Sequence, residues 1–135
     1  MESVGTALAD VFGTGCFGTT GVPRIGISGV PRIGSTFSVT LSNAPPLTWC
    51  PLFLNGTRSD LAVGGGCTSY PLQPAFDVWR QTGVSGAASV AVMVPVNVGL
   101  VGIEAFNQWV TFDTGGAFFN ALAFTAGLHI VIGQP

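Results

Sequence analysis

The chain has 135 residues with four arginines, no lysine, six acidic residues and a formal net charge of −2. Nucleic-acid binding needs clustered basic side chains to neutralise phosphate, and Arg24, Arg32, Arg58 and Arg80 are scattered, so a nucleic-acid partner is excluded. Charged residues make up 7% of the chain and hydrophobic residues 47%, where soluble domains carry about 25% charge. An outer surface so poor in charge implies cover by lipid, by glycan or by other copies of the chain.

In chain order, "MESVGTALADVFGTG" has no basic leader and no long apolar stretch, so it does not read as a signal peptide. Its "VGTALADVF" is the best helical candidate, and it is short. The word Val-Pro-Arg-Ile-Gly occurs at residues 22–26 and again at 30–34. A proline heading each run lacks a backbone donor and suits the first residue of a strand or a sheet edge. The doublet therefore predicts two consecutive strand entrances, the first around Arg24–Ser28. Phe37, Val39 and Leu41 alternate with Thr36, Ser38, Thr40 and Ser42, the pattern of a half-buried strand. "LTWCPLFLNGT" reads as a strand ending in Asn55-Gly56, a hairpin-turn signal. The polar, glycine-rich stretch Thr57–Gly66 reads as a surface loop.

"AFDVWRQTG" predicts a strand closed by Gly83, and "AASVAVMVPV" one with Val90, Val92 and Val94 inward and Ala87, Ser89, Ala91 and Met93 outward. "LVGIEAFNQWVTFD" is a longer strand, bent near Gly102. The uncharged C-terminal segment alternates. Phe124, Ala126, Leu128, Ile130 and Ile132 fall on one side and Ala123, Thr125, Gly127, His129 and Val131 on the other, so a strand is preferred to a membrane span. Seven to nine short strands separated by Gly/Pro turns predict an all-β fold, a single antiparallel β-sandwich of jelly-roll or Ig-like type. It occupies residues 15–135, with residues 1–14 as an N-terminal extension.

Catalytic constellations are sparse. His129 is the only histidine and stands on a strand; the six carboxylates are dispersed; no G-x-S-x-G elbow, phosphate loop or dinucleotide fingerprint occurs. "DTGG" at Asp113–Gly116 reads as a turn. Three cysteines, Cys16, Cys50 and Cys67, without a C-x-x-C pair, argue for one disulfide and a spare thiol rather than zinc. From spacing, Cys50–Cys67 closes the shorter loop, and Cys16–Cys67 ties the N-terminal segment to the middle of the domain. No metal or other cofactor is expected. Trp49, Trp79 and Trp109 offer stacking faces for sugars, although Trp49 and Trp109 lie in strands and fit a core or interface better. Asn55-Gly56-Thr57 is a glycosylation sequon.

The segments "GTGCFGTTGVPRIGISGVPRIGSTFSVTLSNAP", "GGGCTSYP", "GLVGIEAFNQWVTFD" and "ALAFTAGLHIVIG" resemble a secreted β-sandwich module found at the C-terminus of large extracellular proteins of planctomycete-type bacteria. The resemblance runs over residues 13–133 and departs at Phe17, where the module usually has proline. It also departs in having the extension where those proteins have a large upstream part. The resemblance implies an exported protein and a disulfide between Cys16 and Cys67, with Cys50 spare.

Together these readings predict a non-enzymatic structural protein at the cell surface or outside the cell, a self-assembling subunit of a fibre or surface layer. The N-terminal segment, with Val4, Thr6 and Leu8, is the candidate arm that adds a strand to the next copy. Arg24 and Arg32 are candidates to pair with Glu2 or Asp10 of a neighbour. The alternative is a carbohydrate-binding or adhesive module.

Overall fold

The computed structural model describes residues 5–71 and 76–135. Among them the chain is all-β: eleven strands, every strand pair antiparallel, and one 3₁₀ turn at Val98–Leu100. The large sheet runs β1 (Leu8–Phe12), β11 (Gly127–Val131), β9 (Glu104–Phe112), β4 (Trp49–Asn55) and β7 (Phe76–Gln81), and β10 (Leu122–Phe124) pairs with the end of β9. A three-stranded sheet of β2 (Arg24–Ser28), β3 (Thr36–Ser42) and β8 (Ala88–Met93) covers one face. A hairpin of β5 (Arg58–Gly64) and β6 (Cys67–Pro71) covers part of the other.

Alternation explains the middle of this arrangement. In β3, Phe37, Val39 and Leu41 are buried, and across the ladder they meet Val92, Val90 and Ala88. From the large sheet Cys50, Leu52, Trp109, Leu128 and Ile130 close on them, forming the main core. A second, smaller core of Cys16, Cys67, Val110 and Phe124 lies on the opposite face of the large sheet, under the hairpin.

The dipeptide Gln108-Trp109 joins the three layers. Successive strand residues point to opposite faces. Trp109 is fully buried toward the small sheet, and its indole N–H donates to Thr40 O at 3.0 Å. Gln108 points the other way. Its Oε1 accepts from the Tyr70 N–H at 3.1 Å, and its Nε2 donates to Thr68 O and Thr125 O, both at 2.8 Å. One residue therefore fastens the small sheet to β9 and its neighbour fastens the hairpin.

Several expectations change. Residues 57–66 are no loop: Gly64, Gly65 and Gly66 all have positive φ (112°, 65° and 79°) and turn β5 back onto β6. Glycine alone adopts such a run without strain. Asn55-Gly56 does not close a β4–β5 hairpin, because β4 pairs with β7 and β9; it passes the chain to the outer layer. Only the first Val-Pro-Arg-Ile-Gly heads a strand. In the second, Arg32 makes a single parallel bridge to Gly133 and Ile33-Gly34 turns toward β3. The C-terminal alternation breaks at Thr125-Ala126. Leu128 and Ile130 face the main core, whereas Phe124 faces the second core, and Ala123 and Thr125 are buried rather than outward. The described part of "VGTALADVF", from Gly5 on, holds a strand, β1, and no helix.

Candidate functional surface

The bridge between Cys16 and Cys67 is present, with Cα atoms 5.1 Å apart. It ties the connection after β1 to the hairpin layer. Disulfides persist in oxidising compartments. Cys50 is a free thiol, wholly buried in the main core, and burial pushes its pKa up to about 11. A thiol so placed is inert near neutral pH.

The described part of the N-terminal extension belongs to the large sheet. β1 pairs with β11 of its own chain, Leu8 opposite Val131 and Asp10 opposite His129. It is held lightly: Leu8, Ala9, Asp10 and Val11 are exposed. Its anchor is Phe12, which sequence reasoning missed. That ring meets Tyr70 edge-on at 5.0 Å, lies over Gly127, where a Cβ has no room, and carries the Arg58 guanidinium 4.1 Å from its centre. Thr6 is exposed beside the C-terminal residues; Val4 and Glu2 lie outside the described residues.

Arg24 and Arg32 are both exposed and stand near opposite ends of β2, so the structure does not bring them together. Neither makes an ion pair among the described residues, where Arg58 pairs with Asp60 and His129 contacts Glu104. His129 lies flat on Phe106, ring centres 4.6 Å apart, with Nε2 2.7 Å from Glu104 Oε1. Its ring and its carboxylate partner lie on the outer face of the sheet. Among the described residues no group of three His, Cys, Asp or Glu side chains could hold a metal ion. No helix there is long and apolar enough to cross a membrane. Asn55 is half-buried at the turn out of β4, its Oδ1 accepting from the Thr57 N–H at 3.1 Å.

The three tryptophans divide between core and surface. Trp109 is core, but Trp49 is 55% exposed, because Cys50 and Leu52 take the core-facing phase of β4. Trp79 lies on the same outer face and stacks on Phe112, ring centres 5.9 Å apart and planes 18° from parallel. The β4–β9 ladder runs from Leu52–Trp109 to Asn55–Phe106, and Pro51, without an N–H, is the first position beyond it. On its other edge, continuing the line of β11, this end of β9 pairs with β10. A cleft of about 290 Å³ opens beyond the end of the β4–β9 ladder, lined by Thr19, Thr20, Pro46, Thr48, Phe112 and Asp113.

Asp113 fixes one wall of this cleft. Partial burial by itself raises its pKa, but the Thr19 hydroxyl, the Thr19 N–H at 2.7 Å and the Gly115 N–H at 2.8 Å outweigh that and hold the carboxyl below its ordinary value. The "DTGG" segment is the turn that leads from β9 toward β10.

No protein-family model matches the chain, and no curated protein and no solved structure is similar to it at a significant level.

Proposed function

We propose that the chain is a non-enzymatic structural subunit, exported to the cell surface or beyond, whose copies join by exchanging β1. The observation that carries this reading is how β1 is held. One edge pairs with β11, four of its five residues are exposed, and a single ring, Phe12, is seated. Every one of those contacts is made equally well by the same strand of a second copy, the condition for strand exchange. The surroundings favour association. The edge strand β8 carries no charge and no proline, the usual protections of a free edge. Met93, Val96 and Val98 near its end are 78%, 81% and 79% exposed. The disulfide and the resemblance to a secreted module support export.

Asp10 and His129 face each other across β1 and β11. In the variant D10C/H129C, oxidation joins them within one chain if β1 stays home and between chains if it is exchanged. Non-reducing electrophoresis of the oxidised full chain is expected to show a ladder of linked copies. Linked monomers alone, together with a monomer mass by light scattering, would refute exchange.

A further inference from the structure

We propose that Trp79, Phe112 and the adjoining threonine-lined cleft form a binding site for one or two sugar rings of a neutral polysaccharide. The site uses none of the β1 contacts and stands independently of strand exchange.

The apolar half is the stacked pair. Trp79 and Phe112 remain 42% and 48% exposed although stacked on each other. The indole is fixed, its Nε1–H donating to Asp77 Oδ2 at 2.7 Å. A ring held before the ligand arrives loses little freedom on binding. The surface depends on β7 and β9, on either side of β4, presenting their rings to each other.

The polar half decides the ligand class. The hydroxyl of Thr20 donates to Asn43 O at 2.8 Å, that of Thr48 to Pro46 O at 2.9 Å, and that of Thr19 to the Asp113 carboxylate. Three hydroxyl protons are thus committed to the protein, and what the oxygens have left is acceptor capacity. With the Asp113 carboxylate beside them, these three hydroxyls suit a ligand that donates hydrogen bonds, the carboxylate repels an anion, and the exposed Thr114 adds a fourth hydroxyl. A pyranose ring has the required pair of properties: an apolar C–H face for the aromatic rings and hydroxyl donors on its rim. The exposed rings are also a small footprint. A stable protein partner needs about 800 Å² on each side, whereas a sugar ring needs little more than the two aromatic faces. The tryptophan signal in the sequence is therefore assigned to Trp79, with Phe112 and the threonines as partners that carried no sign of this role.

The test is native electrophoresis of the full chain in gels containing hydroxyethyl cellulose, arabinoxylan, galactomannan or laminarin. At least one is expected to retard the protein. W79A and F112L should weaken that retardation by roughly tenfold or more, the loss typical of a central aromatic contact. F119A, which removes an exposed ring outside the cleft, should leave it unchanged. F112L keeps apolar bulk, and near-ultraviolet circular dichroism checks that each variant is folded. Retardation by none of the four polysaccharides, or equal loss in all three variants, or loss in none, overturns the assignment.

Discussion

Replacing Gln108 with methionine tests whether a single side chain holds the hairpin to the sandwich. The two side chains are similar in length, so the change removes hydrogen bonds with little change in volume. Three bonds go: one accepted from Tyr70 and two donated to Thr68 and Thr125. Each is worth about 1 kcal/mol net, and a buried donor left without a partner, here the Tyr70 N–H, costs ~1–3 kcal/mol more. Part of this is offset by burying a more apolar side chain, and about 3 kcal/mol of destabilisation remains. Unfolding entropy of ~2.1 cal/mol/K per residue converts that loss into a fall in Tm of roughly 10 °C for a chain of this length. The assay is thermal unfolding followed by tryptophan fluorescence, with amide hydrogen exchange as the local readout. Exchange should quicken at Tyr70 and its β5–β6 neighbours before it quickens in β3. If Tm falls by less than about 2 °C and the Tyr70 amide stays as protected as in the parent, Gln108 is not the fastener.

The disulfide and the acid limb give two further tests. Cys16 and Cys67 are 51 residues apart, and a cross-link of that span restricts the unfolded chain by about 4 kcal/mol. The double variant C16S/C67S should therefore lower stability to urea by about that amount while leaving the far-ultraviolet spectrum unchanged; an unaltered urea midpoint would contradict the loop-closure argument. Asp113 has a folded-state pKa below its unfolded value. Its contribution is fully present above the unfolded pKa and is lost as pH falls through the folded one. D113N should accordingly destabilise the protein at pH 7 and flatten the loss of stability below pH ~4; a parallel acid limb in parent and variant would show that another carboxyl controls it.

How much of this was legible depends on the distance over which the information is written. β3 and β8 were readable because each carries its own alternation, and burial follows that alternation residue by residue. The C-terminal strand deceived for the same reason. Its period of two continues through Thr125-Ala126 in sequence, while the chain changes faces there, because the Thr125 N–H and hydroxyl are both engaged with Trp109. β5 and the turn after it looked like a loop because Thr57–Gly66 is polar and rich in glycine. The hairpin folds as a layer through the glycine turn, the disulfide and Gln108, and two of those three partners lie outside it.

The cleft beside Phe112 marks the limit of local reading most clearly. Pro51 in an otherwise good strand was a visible irregularity, and a proline usually demotes a strand to an edge. β4 is instead internal, and the proline coincides with the place where its ladder to β9 ends. Beyond the end of that ladder Phe112 is exposed and stacks on Trp79, and Thr48 lines one cleft with Thr19 and Asp113. No single segment encodes that combination, since it needs β4, β7, β9 and the loop before β2 at once. A proline in a central strand is thus better treated as a pointer to where a ladder ends than as evidence against the strand, and the outward residues around it, here Trp49 on β4 and Trp79 opposite Pro51 on β7, are the first to inspect for binding.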